Sequence, residues 1–374
     1  MLGKMDARSF SPRLYDVFVG MDVDKTSIAL TCIDQDQMVK SLKVPHQAAH
    51  VLGYVKRHFA NQRVTFAYEA GPTGYGLHDQ LTAAGFPCLV VAPSMIPTAP
   101  GARVKTNRLD SQKLAVNLRG GQLSSIHVPT QPYRELRHLT QLRDTVVQQS
   151  RATQCRIKSL LLFEGLPFPG TEWSQRLLLK LEHLSCSQSV TFKLNHLMQT
   201  LRFAQTHIKE TTREIQLFCQ RAPEIRQCLT YLMSIPGIGL ATGTQLLARI
   251  GDWRQLRHVR QLAAFLGLVA KERSTGETIR RGSITRIGDA RLRNKLIQCA
   301  WVTIRQDPEL RAFYWRVYQR HSAQEATHKA IVAVARKLTT RIYAVLSEQR
   351  MYVVRTQEEH TPPGQTRMPA EPAS

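Results

Sequence analysis

The stretch DVFVGMDVDKTSIALTCIDQDQMVKSLKV, residues 16–44, sets the architecture of the first third of the chain. It contains three short runs rich in apolar and β-branched residues, at 16–23, 27–33 and 38–44, with DQDQ as the turn between the last two. Such runs predict three successive strands. Asp22 stands inside the first, where a charge is costly unless it is paired or bound to metal. Beyond them Ala48, Val51, Leu52, Val55 and Phe59 recur at helical spacing and predict a helix over 47–60. A strand at 64–69, a helix at 74–84, a strand at 87–92 and a helix at 109–119 follow.

Three strands followed by alternating helix and strand suit a mixed sheet flanked by helices. That order matches an α/β RNase H-like fold. A doubly wound nucleotide-binding domain more often has a Gly-rich turn after its first strand, and none stands here.

From Tyr133 the chain turns helical. Leu136, Leu139, Leu142, Val146, Ile157 and Leu160 line one side of a helix over 133–163, ended by PFPG at 167–170. Val190, Leu194, Leu197, Leu201, Ala204, Ile208, Thr211, Ile215 and Phe218 are spaced alternately by four and three. This heptad seam marks a coiled coil or a long helical hairpin, within one chain or between two. LTYLMSIPGIGLATGTQLLARIG, from 229, reads as helix, tight Gly turn, helix. Helices at 257–266 and 290–305 enclose a basic, Gly-containing loop, and 325–348 is a further helix. The expected divisions are an α/β domain at 13–128, a helical coiled-coil linker at 129–225, an all-α C-terminal domain at 226–350 and a disordered tail at 351–374.

The chain has 374 residues, and 51 Lys and Arg against 28 Asp and Glu give a formal charge of +23. That excess favours a polyanionic partner, because each neutralised phosphate releases counterions. No stretch is long and apolar enough to span a bilayer, and the first residues lack a signal-peptide core, so a cytoplasmic, nucleoid-associated protein is expected. Seven scattered cysteines form no CxxC pair, which argues against zinc and for reduced, mostly buried thiols.

Three acids stand out: Asp22, Glu69 at the end of VTFAYE, and Asp110 at a helix start. Clustered carboxylates hold divalent metal, and metal beside a basic surface suits phosphodiester chemistry. Each has a structural alternative: Asp22 or Asp24 can end a strand, Glu69 can cap the next helix, and Asp110 is a plausible N-cap. Gly237 and Gly239 in SIPGIG allow a helix–hairpin–helix turn whose exposed amides can hold a phosphate. A plain helical turn is the alternative. In LGLVAKERSTGETIRRGSITRIGDARLRNKL, Lys271, Arg273, Arg280, Arg281, Arg286, Arg291, Arg293 and Lys295 outnumber three acids and suit a phosphate-gripping loop.

GMDVDK, YEAGPTGYG and RVKTNRLDSQKLA resemble the acidic blocks of the DEDD transposases of insertion sequence family 110 and its 1111 subgroup, relatives of the Piv-type DNA invertases. The resemblance implies a RuvC-like, RNase H-fold domain in which four acids bind Mg²⁺. Asp22 and Glu69 match the first two acids and Asp110 the last; the third falls on Asn107, where the family usually has aspartate. An amide oxygen can ligate Mg²⁺ but brings no charge, and Asp24, two residues from Asp22 on the same strand face, is positioned to compensate. Lys105 and Arg108 in the last block are candidate nucleic-acid contacts. The basic loop resembles the family's C-terminal transposase domain, whose catalytic serine matches Ser274, or Thr275 in a register one residue later.

The resemblance spans roughly 16–345 and implies a DNA transposase with both domains contributing to one active site. Ser274 would attack phosphorus and hold the strand as a phosphoserine, with metal-assisted deprotonation of its hydroxyl. It also implies homodimers pairing into a tetramer, element-end and target DNA, and a noncoding bridge RNA. Two other readings remain: a RuvC-like junction nuclease without a covalent step, and a decayed, non-catalytic nucleic-acid-binding protein, for which Asn107 is the argument.

Overall fold

The computed structural model describes residues 10–35, 38–97, 106–275 and 278–354, without the side chains of 38–39, 273–275 and 279–281. The chain forms two compact units that divide between Val128 and Pro129.

In the first unit β1 (Val17–Val23), β2 (Ser27–Ile33) and β3 (Met38–Pro45) run antiparallel. β4 (Val64–Glu69) lies parallel to β1, and β5 (Cys88–Val91) parallel to β4. The sheet order is β3-β2-β1-β4-β5. Helices α1 (Ala48–His58), α2 (Gly76–Ala83) and α3 (Asn107–Arg119) complete the unit.

β1 is central, and both of its faces are covered. Val17, Val19 and Met21 pack with Val51, Val55, Leu77 and Leu81. Phe18 packs with Ala67, Leu89, Leu114 and Leu118 on the other side. Burial on both faces explains why the strand reads as a near-continuous apolar run.

α3 lies close against β1. A Cβ at Gly20 would stand 2.1 Å from the Ser111 carbonyl oxygen and 2.4 Å from the Ala115 nitrogen. The absence of a side chain there lets the helix backbone rest on the strand. The buried Thr31 and Ser111 hydroxyls hydrogen-bond at 2.8 Å across the same contact.

In the second unit α4 (Gln131–Phe163) and α6 (Gln188–Arg221) form a long antiparallel pair, joined through α5 (Gln175–Glu182). Tyr133 and Leu136 of α4 share a core with Ile215 and Cys219 of α6, while Ile157, Leu160 and Leu161 pack on Val190, Leu194, Met198 and Leu201. α7 (Pro223–Met233), α8 (Leu240–Ile250), α9 (Val259–Phe265), α10 (Ala290–Gln306), α11 (Pro308–Tyr318) and α12 (Ala323–Ser347) build the rest. Ile215 and Cys219 belong to the same core as Ile225, Leu229 and Leu246, so the helices on both sides of residue 225 form one body.

The structure differs from expectation, or adds to it, at four places. The C-terminal part is not all-α: Ala270–Thr275 (β6) and Thr278–Ile284 (β7) pair antiparallel where a loop was expected. KERST and TIRRGSI are charged, yet their Thr and Ile residues and the two-residue gap between them suit a hairpin. The seam of α6 faces α4 of the same chain, and burial passes from Leu194 to Met198 rather than to Leu197. Val190, Leu194 and Met198 are spaced by four and Leu201 and Ala204 then by three, with Leu197 partly buried beside them; a straight helix drifts in this way against a strict heptad. α4 ends before PFPG, at Gly165 (φ 67), where Leu166 N donates to Leu161 O at 2.8 Å. α5 and α11 were not anticipated; α11 begins at Pro308, directly after α10 ends, capped by Asp307.

Candidate active site

The acidic residues sit at one edge of the first unit. In β1, Gly20 and Asp22 share a face; in β4, Ala67 and Glu69 share a face. Gly20 pairs with Ala67 and Met21 with Tyr68, so the parallel register brings Asp22 alongside Glu69 at the carboxyl ends of both strands. This is the face that α3 covers. Asp110 lies in the first turn of α3, next to Ser111, whose carbonyl abuts Gly20. Asp22 and Asp110 are half-buried, and Glu69 is exposed.

The capping alternatives for Asp110 and Glu69 are removed. Thr106 caps α3, its hydroxyl accepting from Leu109 N at 3.2 Å, so Asp110 is not the cap. Glu69 caps nothing: α2 starts seven residues later with Tyr75 at its N-cap. Asp24 is the turn residue. It lies just beyond β1, is exposed, and its carboxylate accepts from Lys25 N at 2.7 Å. Asn107 opens α3 one turn before Asp110 and is exposed.

These oxygen donors have the chemistry that a hard divalent cation takes. Among the described residues, however, no three acids, histidines or cysteines are gathered closely enough to hold an ion. The fold brings the donors to one edge without closing them into a ligand set.

The second unit separates two features. The SIPGIG turn joins α7 to α8. Gly237 (φ 89) is needed for packing: a Cβ would stand 2.6 Å from the Cys299 carbonyl of α10. Gly239, the N-cap of α8, is exposed with open space around it. The other feature is the β6–β7 hairpin, where Ser274 pairs with Ile279 and Arg273 with Arg280. Thr275 is the last residue of β6 and pairs with Thr278.

The hairpin base is built around Arg293. This buried side chain donates from Nη1 to Leu266 O at 3.2 Å and to Arg286 O at 3.4 Å. Arg286 has φ 57, and a Cβ at Gly288 would stand 2.2 Å from Phe265 O. Arg293 therefore holds the hairpin in place rather than gripping phosphate. Lys295 is likewise engaged, with Asp144 at 3.0 Å. Lys271, Arg108 and Arg286 are exposed, and Lys105 lies outside the described residues. The role of Arg293 was hidden because its sequence neighbours are also basic; its place after Leu292 in a helix with inward Leu292 and Leu296 was the available signal.

Burial accounts for most of the cysteines. Cys32 is pushed up to about 12 and Cys219 to about 11 by desolvation, and burial also raises Cys228 and Cys299.

The sequence relatives of this chain identify the class of protein, a DNA transposase or recombinase. Residues 19–164 match the DEDD transposases of IS110 elements, and residues 229–315 match the IS116/IS110/IS902 transposase family. Transposase y4qE of Sinorhizobium fredii is 31% identical over 363 residues, covering 90% of each chain. The transposase for insertion element IS1111A of Coxiella burnetii is 24% identical over 272 residues, covering 72% of this chain and 73% of its own. The pilin gene-inverting protein of Moraxella bovis is 29% identical over 160 residues, covering 42% of this chain and 49% of its own. The chain belongs to the IS110/IS116/IS902 transposase family. Among the described residues no helix is long and apolar enough to cross a membrane.

Proposed function

We propose that the protein cuts and rejoins insertion-sequence DNA through a serine-linked intermediate, using an RNase H-like, RuvC-type unit that depends on Mg²⁺. One observation carries this reading: α3 rests on Gly20, so Asp22, Glu69 and Asp110 come to the same edge of the sheet. The β3-β2-β1-β4-β5 order, with β4 and β5 parallel to β1, supports the fold assignment. Asp22, Glu69 and Asp110, with the amide of Asn107, are the residues that would hold the metal. When bound, it supplies charge neutralisation at the scissile phosphate.

Ser274 is the nucleophile in this reading. Its Oγ forms a bond to phosphorus, the P–O3′ bond breaks, and the departing oxygen leaves as a 3′-hydroxyl. The serine proton is lost to solvent or to an adjacent base. The register sets Arg273 opposite Arg280. Joining two duplexes calls for more than one subunit, and a structured noncoding RNA is the expected guide. The net charge of +23 supports polyanionic partners in general.

The test is denaturing electrophoresis of the protein with labelled element-end DNA and Mg²⁺. A protein–DNA adduct forms with wild type and is lost in Ser274→Ala. An adduct that survives in Ser274→Ala but not in Thr275→Ala moves the nucleophile by one residue, survival in both refutes either residue as nucleophile, and cleavage by wild type without any adduct refutes the covalent step. Asn107 favours a second reading, a non-catalytic nucleic-acid-binding protein. Absence of cleavage in both wild type and Asn107→Asp supports that reading.

A further inference from the structure

We propose that α10 and α11 carry a stacking platform for unpaired DNA bases. Trp301 of α10 is 36% exposed and Trp315 of α11 is 52% exposed. Singly exposed apolar side chains are ordinary, whereas a contiguous exposed patch marks an interaction site. The two indoles are not isolated. Tyr314 lies 5.9 Å from Trp301 and 5.3 Å from Trp315 between ring centroids, and Tyr318 lies 5.3 Å from Trp315. The buried Tyr314 thus ties two exposed rings into one continuous aromatic surface.

Charge selects the occupant. Arg305, Arg316 and Arg320 are exposed and lie within five residues of Trp301 or Trp315 in the sequence. Arg311 donates to Ile304 O at 2.9 Å and to Arg305 O, which holds its guanidinium across the end of α10. Residues 290–320 hold two acids, and neither offsets this charge. Asp307 is fully buried and caps α11; Glu309 is taken by Lys337 and Arg341. Rings with cationic surroundings fit a nucleic acid strand, because every base has a face to stack and every nucleotide a phosphate. A second copy fits poorly, since a two-fold contact through this patch would set arginines against arginines. In duplex DNA the base faces are already stacked on one another, so the platform selects unpaired segments.

The same ledge supports the SIPGIG turn. Gly237 abuts Cys299 and Val302, and the Thr303 hydroxyl donates to Pro236 O at 2.6 Å. Trp301 therefore neighbours in α10 the residues that hold a turn whose exposed Gly239 can approach a phosphate.

The experiment uses the full chain in EDTA, so its outcome does not depend on metal or on Ser274. Fluorescence anisotropy follows a labelled oligothymidylate of about 20 nucleotides and a duplex of the same length. Trp301→Ala/Trp315→Ala is expected to weaken single-strand binding about 10-fold and to leave duplex binding within about 2-fold. Trp315→Phe, which keeps a ring, retains most of the affinity, and 5-iododeoxyuridine in the oligonucleotide cross-links to the Trp315 peptide. Arg316→Glu/Arg320→Glu, at exposed positions that do not enter the core, must also weaken single-strand binding; this arm decides if the double tryptophan variant melts early. Equal losses on single strand and duplex overturn the proposal. So does unchanged single-strand binding, with or without a shift in oligomeric state that assigns the patch to a second copy. Tighter binding of oligouridylate than of oligothymidylate assigns the patch to RNA and overturns the DNA assignment.

Discussion

Replacing Gly20 with alanine places a methyl group where the backbone of α3 already stands. The new Cβ would meet Ser111 O at 2.1 Å and Ala115 N at 2.4 Å, whereas ordinary contacts begin near 3.4 Å. Both atoms are backbone inside a helix, so no rotamer change relieves the clash. α3 must retreat from β1 by about 1 Å, and the buried Thr31–Ser111 hydrogen bond at 2.8 Å lengthens with it. Overpacking of this kind costs about 1–3 kcal/mol, and the lost hydrogen bond adds about 1 kcal/mol. For a unit of this size that lowers Tm by roughly 10 °C. The functional effect is larger. Asp110 rides on α3, while Asp22 and Glu69 stay with the sheet, so the acids separate. A misplacement of about 1 Å lowers a catalysed rate on the order of 100-fold. Differential scanning calorimetry and Mg²⁺-dependent cleavage of element-end DNA measure the two effects. A Gly20→Ala protein that melts within about 2 °C of wild type and cleaves at the wild-type rate would refute the placement of α3, and with it the site.

The register of α6 has its own test: Met198→Ala costs about 2–5 kcal/mol, because Met198 is 1% exposed, whereas Leu197→Ala costs less, and urea unfolding that ranks them in the opposite order restores the heptad seam. Tyr352→Phe removes the hydroxyl that donates to the fully buried Asp307 and should destabilise the second unit by about 1–3 kcal/mol in thermal or denaturant unfolding. At pH 8, Cys32 and Cys219, raised to about 12 and about 11 by burial, remain protonated and resist alkylation, while the exposed Cys155 reacts. Raising the pH toward 10 leaves both below their midpoints, and mass spectrometry of native protein should still find them unlabelled.

Much of the first unit was legible because β-branched runs and helical spacings are local signals. β2 and β4 occur at the expected residues, and β1, β3, α1 and α3 within about two residues of expectation. The hairpin at 270–284 was obscured by its charges, which suited a solvated loop equally well. α11 was obscured because Asp307 ends one helix and caps the next without a loop between them. Arg293 was counted with the phosphate-facing residues because burial leaves no mark on a charge read in isolation.

The amino-acid order by itself determined the kinds of elements, the three acids, the candidate serine and the family likeness, since each depends on residues near one another in the chain. It did not decide that Asp22 lies alongside Glu69, that α3 rests on Gly20, or that the seam of α6 is spent on α4. Those are outcomes of packing between segments distant in sequence, where the space left by a missing side chain or the drift of a straight helix chooses among pairings that the local pattern permits equally.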